Sequence, residues 1–194
     1  MDYPRYAKIG DKKYPINTDF RVAIECNDIA LDETIGDYER ALAIIYKLFG
    51  DKGLNDTNNQ VKLLEIAQKY LSCGKELDTT NNIEPDMDFS EDMDYIEASF
   101  MSDYNIDLSN AKMHWWKFIN LMNGLSNSEL GNCCVLNRIR NIRTFDTKDI
   151  KDEKTLKEIN EAKKQVALNK YKKENHLTKE QEESMARINK IMGL

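Results

Sequence analysis

The chain has 194 residues, of which 41% are hydrophobic and 32% charged, with only eight glycines and three prolines. This composition is too apolar for a disordered chain and too poor in turn residues for an all-β protein, so it predicts a mainly α-helical domain. A formal net charge of −6 disfavours nucleic acid as a partner, because phosphate backbones require a positive field. No apolar run approaches the roughly 18 residues of a membrane span, and the N-terminus lacks a signal-peptide pattern. We therefore expect a cytoplasmic protein with no membrane contact.

The N-terminal residues predict a short β-hairpin followed by a helix. Tyr6 to Ile9 and Tyr14 to Asn17 flank a Gly-Asp-Lys-Lys turn, and glycine and aspartate tolerate the positive φ of tight hairpin turns. Asn17 or Thr18 can then cap a helix by accepting hydrogen bonds from its free backbone amides. The apolar residues of this helix recur on one face: Phe20, Ile24 and Leu31.

Two further helices are indicated by apolar residues at three-to-four spacing. Each ends at a glycine, Gly50 or Gly74, which suits a left-handed C-terminal cap. The apolar stripes are Ile35, Tyr38, Leu42, Ile45 and Phe49 in the first helix, and Val61, Leu64, Ala67 and Leu71 in the second.

Residues 75–107 carry eleven acidic residues against one lysine. We interpret residues 75–90 as a solvated acidic loop that leads into a helix containing Met93, Ile96 and Phe100. Oxygen-bearing side chains between Asp86 and Glu97 follow the spacing of an EF-hand calcium loop. That loop needs glycine at its sixth position, where this chain has Glu91, so the pattern predicts no metal site.

Two more helices are predicted before residue 146. Ser109 can cap the first, which ends at Gly124, and Ser126 with Glu129 forms a capping box for the second. Adjacent helix positions point about 100° apart, so Trp115 and Trp116 cannot both face one core stripe. The register with Met113 and Ile119 predicts that Trp116 is the buried indole.

Catalytic and cofactor chemistry are not predicted. The carboxylates crowd on polar runs instead of pairing in an apolar cleft, and His114 beside two tryptophans is typical of a packed or interface histidine. A phosphate site at Arg138, Arg140 and Arg143 is disfavoured because arginines at a helix end already complement its dipole. The cysteines lack metal-ligand spacing and are interpreted as reduced core thiols: Cys26, Cys73, Cys133 and Cys134.

From residue 147 the chain changes character, with twelve basic residues against nine acidic ones and few apolar positions. Thr178 with Gln181 offers another capping box near the end of the chain. Such helices bury too little apolar surface to fold alone. We therefore divide the chain into a helical body, residues 1–146, and a charged helical C-terminal extension, residues 147–194.

Two separated segments resemble the bacteriophage gene product fifteen family. The first is Tyr14-Pro-Ile-Asn-Thr-Asp-Phe-Arg21, and the second runs from Tyr104-Asn-Ile-Asp-Leu108 through Met113-His-Trp-Trp-Lys-Phe118 to Gly124-Leu125. We regard one set of residues as the structural signature of the resemblance: Phe20, Arg21, Tyr104, Asp107, Leu108, His114, Trp115, Trp116 and Phe118. The resemblance covers roughly residues 1–145 and implies no catalytic residue and no cofactor.

The resemblance implies a non-enzymatic tail assembly chaperone of a phage, prophage or tail-like particle that binds the tape-measure protein in the host bacterial cytoplasm. A long helical partner needs helical apolar faces, which the C-terminal extension can supply. The expected partner-binding residues are Leu156, Ile159, Val166, Tyr171, Met185 and Ile188. Two alternatives are a structural subunit of the tail and a nucleic-acid-binding or regulatory protein that uses the basic helices. A homo-oligomer is compatible with each of these functions.

Overall fold

The computed structural model describes residues 2–75, 85–127 and 133–169. In this part of the chain a two-stranded antiparallel hairpin precedes seven α-helices, which confirms the predicted fold class. The strands are β1 (Tyr6–Ile9) and β2 (Lys12–Pro15), and the helices are α1 (Phe20–Leu31), α2 (Asp37–Leu54), α3 (Gln60–Leu71), α4 (Met93–Tyr104), α5 (Trp115–Asn123), α6 (Val135–Thr144) and α7 (Glu153–Gln165). None of these helices is long and apolar enough to cross a membrane.

The hairpin is fixed to the body by a shared carboxylate. Tyr6 pairs with Pro15 at its open end, and Gly10 in the turn has a φ of 57°, a conformation that glycine adopts without steric cost. At the other side of the hairpin, the Tyr14 hydroxyl donates to the Asp56 carboxylate at 2.5 Å. Hydrogen bonds from Lys12, Tyr14 and Asn59 lower the pKa of Asp56 to about 2.

The first helix begins later than predicted, because the residues expected to cap it are used in long-range backbone bonds. The Asn17 amide donates to the Leu48 carbonyl at 2.8 Å, and the Thr18 carbonyl accepts from the Trp115 amide at 2.8 Å. These contacts hold the backbone extended, so Asp19 is the cap and accepts from the Arg21 amide at 2.9 Å.

Two details of α2 and α3 also differ from the prediction. Gly50 has the expected positive φ of 63°, but it kinks α2 instead of ending it, and the helix continues to Leu54. In α3 the buried face consists of Leu63, Ala67 and Tyr70, whereas Val61 is 74% exposed. The buried face is displaced because the aromatic ring of Tyr70 packs against the α5 region.

The predicted starts of α5 and α6 were wrong for a common reason. Ser109 is tied to Asp107, whose carboxylate accepts its amide at 2.9 Å, and α5 begins six residues further on, with His114 as its cap. Likewise, the Ser126 hydroxyl donates to Asp103 at 2.8 Å, and Cys134 caps α6. A local turn with Asp107 thus uses Ser109 and a long-range contact with Asp103 uses Ser126, although the sequence pattern assigned both serines to caps. Glu129, the second residue of the predicted capping box, lies outside the described residues.

The core is organised around a stack of aromatic rings. The Phe118 ring is stacked on Phe20 at a centroid distance of 4.6 Å, on Phe100 at 5.2 Å and on Trp115 at 5.8 Å. All four side chains are at most 2% exposed. Because these rings come from α1, α4 and α5, the stack joins helices that lie far apart in the sequence.

Candidate functional site

The two signature segments are brought together by backbone hydrogen bonds. The Phe20 amide donates to the Met113 carbonyl at 3.1 Å, and the Trp115 amide donates to the Thr18 carbonyl at 2.8 Å. Between these bonds Asp19 and His114 form an isolated antiparallel bridge. The two segments therefore form one junction where the hairpin, α1 and α5 meet.

Arg21 holds the loop before α5 against α1. Its guanidinium donates to the Ala111 carbonyl at 3.2 Å, to the Ser109 carbonyl at 3.1 Å and to the Leu108 carbonyl. It also forms an ion pair with Asp19 at 3.2 Å. One arginine thus satisfies three carbonyl groups of the loop before α5.

His114 uses both ring nitrogens to bind backbone groups. Nδ1 accepts from the Trp116 amide at 3.0 Å, so Nε2 carries the proton and donates to the Pro4 carbonyl at 2.9 Å. Burial lowers the pKa of His114, and the nearby Arg5 charge acts in the same direction. The neutral imidazole therefore acts as a helix cap and as a link to the N-terminal segment.

The assignment of the buried tryptophan to Trp116 was wrong, because Trp115 is the core residue at 2% exposure. The Trp115 indole donates to the Leu71 carbonyl at 2.9 Å, and the half-buried Trp116 indole donates to the Tyr70 carbonyl at 2.9 Å. Since α5 begins only at Trp115, Met113 precedes the helix and does not define its register. Both indoles bind carbonyls at the C-terminal end of α3.

The remaining signature residues also have structural contacts. Phe118 and Leu108 are buried, and the Tyr104 hydroxyl donates to the Leu121 carbonyl at 2.9 Å. Asp107 accepts from the side chains of Ser109 and Asn110 at 2.5 and 2.7 Å. The polar signature groups are thus engaged within the fold, as core and loop-fixing contacts.

The described part of the acidic segment before α4, residues 85–92, is not simply solvated, because two of its carboxylates are buried. Asp92 is 1% exposed and Asp88 is 5% exposed. Asp92 accepts a bidentate pair of hydrogen bonds from Arg143 at 2.6 and 2.7 Å. Asp88 accepts from the amides of Ser90 and Glu91 at 2.9 and 3.0 Å.

The arginines of α6 are the partners of these acids. Arg140 pairs with Asp86 at 2.8 Å, and Arg143 also donates to the Asp86 carbonyl at 2.9 Å. The sequence pattern suggested only that these arginines complement the helix dipole. An acidic run and two arginines at i and i+3 were visible in the sequence, but their pairing depends on the packing of α4 against α6.

The C-terminal extension begins as a helix that is bound to the body. Arg143 donates to the Val166 carbonyl at 2.6 Å, Leu168 is 7% exposed, and the Asn169 amide donates to Glu91 at 2.7 Å. Leu156, Ile159 and Val166 are half-buried. The other expected partner-binding residues, Tyr171, Met185 and Ile188, lie outside the described residues.

An apolar groove lies where α7 crosses the end of α6. It has a volume of about 230 Å³, and Phe145 at its edge is 50% exposed. Its lining residues are Asn141, Ile142, Phe145, Ile159 and Ala162. We call this feature the α6–α7 groove.

The titratable groups that could support metal or thiol chemistry are dispersed in the described part of the chain. Within residues 2–75, 85–127 and 133–169, no three histidine, cysteine or acidic side chains form a group that could hold a metal ion. The four cysteines are free, and burial raises the pKa of the Cys26 thiol to about 12. A thiol with this pKa is a poor nucleophile at neutral pH.

The fold and the signature junction define a mainly helical protein whose signature residues build its core and fix its loops. This chain belongs to the bacteriophage Gp15 protein family, whose model matches residues 3–168. The match includes α7 and ends at Leu168, the last buried residue described. Comparison with curated proteins and with solved structures gave no significant match.

Proposed function

We propose that this protein is a non-enzymatic tail assembly chaperone that binds the tape-measure protein in the host cytoplasm during tail morphogenesis. The observation that carries the proposal is membership of the phage Gp15 family across the body and α7. A tape-measure protein is a long helical chain that must stay soluble before tail-tube subunits surround it. A chaperone for such a chain needs apolar helical surface and no catalytic group.

The C-terminal extension supplies the proposed contact surface. Leu156 and Ile159 recur at helical spacing on α7 and are only half-buried, and Met185 and Ile188 continue the apolar positions beyond it. Charges of both signs flank these positions and can set the register of a partner helix. The signature junction is not proposed as a binding surface, because its polar groups are engaged in contacts that hold the body together.

Co-expression with tape-measure fragments tests the proposal. We expect the full chain to raise the soluble yield of a fragment and to be recovered with it in a pull-down. The double substitution Met185→Asp/Ile188→Asp should reduce both, because charged groups cannot enter an apolar helix interface without a large desolvation cost.

The control is Val61→Asp, which places one aspartate at a 74% exposed apolar position on α3. It should leave binding unchanged. If no fragment binds the full chain, the chaperone function is wrong. If binding is equal in all three proteins, the surface lies on the body and not on the extension.

A further inference from the structure

The apolar face of α7 is only partly covered by the rest of the described chain. Leu156, Ile159 and Ala162 are half-buried, and none of the residues of α7, all of which the structure describes, is fully buried. The α6–α7 groove lies on this face, beside the Phe145 ring, which is 50% exposed. A stripe of this kind on an amphipathic helix is typical of a surface that packs against another helix.

We infer that a second copy of this chain covers the α6–α7 groove, with the two α7 helices packed antiparallel about a two-fold axis. The inference does not depend on the proposed function, because it concerns the protein without any other partner. The pairing would occupy Leu156 and Ile159, which also belong to the proposed contact surface. A tape-measure helix would therefore have to displace the second copy in order to bind there.

The first support is the order of residues along one face of α7 and its cap. Asp152, Leu156, Ile159 and Lys163 follow one another at intervals of four, three and four residues, which places them on one helical face. We call these four residues the α7 seam. An antiparallel copy centred between residues 157 and 158 puts lysine opposite aspartate at both ends of the seam. It also puts leucine opposite isoleucine at both central positions, so the seam is complementary to itself.

The second support is charge. Two-fold symmetry repeats each contact, so Asp152 and Lys163 would form two ion pairs across the interface. Asp152 caps α7 and accepts from the Thr155 hydroxyl at 2.6 Å and from its amide at 2.7 Å. These bonds fix the carboxylate in place and lower its pKa, so it is ionised at neutral pH. A parallel pair would instead bring like charges together, which is unfavourable.

The third support is the groove itself, which has a volume of about 230 Å³ and only one polar lining residue, Asn141. Ile159 and Ala162 line it from α7, and Phe145 lies at its edge. In the antiparallel register Leu156 of the second copy lies opposite Ile159, so its side chain can enter the groove. The contact therefore joins apolar packing at the centre to ion pairs at both ends.

The length of α7 limits the strength of this contact. A helix of 13 residues is only about 20 Å long. A pair of such helices buries less than the roughly 1,200 Å² that stable complexes bury, and smaller contacts are typical of weak association. We therefore expect a reversible dimer with a dissociation constant in the micromolar range.

Sedimentation of the purified full chain at increasing concentration tests the inference. We expect the mass to shift from monomer to dimer between about 1 and 500 µM. Phe145→Asp should weaken association at least ten-fold, because a charged group then enters the apolar contact. Circular dichroism checks that this variant is folded. A chain that stays monomeric over the whole range would overturn the inference.

A charge reversal on the α7 seam supplies a second test that leaves the apolar residues in place. Lys163→Glu should weaken association about ten-fold, because the symmetry creates two like-charged pairs. The matched control Lys164→Glu makes the same change about 100° away around the helix and should have no effect. Asp152→Asn combined with Lys163→Glu should recover most of the affinity, and asparagine can still cap α7. A dimer that neither Phe145→Asp nor Lys163→Glu weakens would overturn the inference.

Zero-length carbodiimide cross-linking identifies the direction of the pair. Within one copy Asp152 and Lys163 are 11 residues apart, about 16 Å along a helix, which is too far for their side chains to form an amide bond. The antiparallel pair brings them together, so the cross-linked dimer should contain an Asp152–Lys163 link. A cross-linked dimer without this link would overturn the antiparallel pairing. Because no tape-measure fragment is present, failure of these tests leaves the proposed function untouched.

Discussion

Trp115 and Trp116 are neighbours in the sequence but lie in different environments. The ring of Trp115 packs against Phe118 and Phe89 inside the core, whereas Trp116 lies at the edge, near Tyr3 and Tyr70. Each indole donates one hydrogen bond to a carbonyl at the end of α3. The difference between them is therefore mainly one of packing.

Replacing each indole by alanine should separate these roles. We expect Trp115→Ala to lower the free energy of unfolding by roughly 3 to 5 kcal/mol, since a large buried ring leaves a cavity. Trp116→Ala should cost less than half as much, because its ring is only half-buried and water can fill the space that it leaves. Urea unfolding of both variants measures the two losses. Equal losses would mean that the packing of α5 against α3 differs from the one described.

His114 should make stability depend on pH in a defined window. Burial lowers the pKa of the folded imidazole below its ordinary value of 6.5, so the unfolded chain binds the proton first as the pH falls. The stability that neutral His114 contributes is complete above the unfolded pKa and is lost as the pH falls below about 6.5. Protonation also removes the Nδ1 acceptor that caps α5.

The measurement is urea unfolding at pH 8 and at pH 5.5 for the natural chain and for His114→Asn. Asparagine can cap a helix and does not titrate, and His176 is present in both proteins. The loss of stability between the two pH values should be smaller in the variant. An identical loss in both proteins would show that His114 is not the group responsible.

At the scale of elements, the pair between Arg143 and Asp92 joins α4, α6 and the end of α7. The Arg143 side chain is 10% exposed and the Asp92 side chain is 1% exposed, so neither charge is well solvated. Removing one partner of a buried pair leaves the other charge uncompensated. The arginine also binds the Val166 carbonyl, so its loss should detach the extension.

We therefore expect Arg143→Met to destabilise the protein by roughly 3 to 5 kcal/mol. Arg140→Met is the matched control on the same helix, because the side chains of Arg140 and Asp86 are 37% and 34% exposed. That pair should contribute at most about 1 kcal/mol. Urea unfolding gives both values. A larger loss for Arg140→Met would contradict the assignment of Arg143 as the anchor.

The same contacts predict that calcium does not affect folding. Asp86 and Asp92 are paired with arginines, and Asp88 binds backbone amides, so calcium would have to break these contacts. Position six of the calcium-like spacing is Glu91 instead of the glycine that the sharp turn needs. The melting temperature should be unchanged by millimolar calcium, measured against magnesium as a control. A rise of several degrees with calcium alone would contradict this prediction.

At the scale of the whole molecule, local patterns predicted the helices better than the contacts between them. The apolar periodicity of α2 and α4 and the hairpin turn at Gly10 were recoverable, because they depend on residues close in the sequence. The starts of α5 and α6 were not, since their caps are His114 and Cys134. Neither is a preferred capping residue.

The same difference between local patterns and long-range contacts is found at the candidate site. The signature residues were visible as motifs, but their meeting at one junction depends on bonds such as that between Phe20 and Met113. The pairing of Arg143 with Asp92 joins residues that are 51 positions apart, and no local pattern specifies it. Half-burial of Ile159 was also unforeseen, because it depends on where α7 crosses α6.

The body and the extension have different roles in the proposed function. The body is held by aromatic packing and by the signature junction, whereas the extension presents apolar positions among charges of both signs. Such a division suits a protein that must bind a helical chain for a limited time and then release it. A subunit of the finished particle, the alternative function, would instead need a permanent interface.

Quantitative mass spectrometry of cells during assembly and of purified particles tests this central claim most directly. The tape-measure protein is isolated from lysates before tails are complete, and the same peptides are then measured in finished tails. The account predicts that this chain is recovered with the tape-measure protein in the lysate and is absent from the particles. Abundant presence in purified particles, or no recovery with the tape-measure protein at any stage, would contradict it.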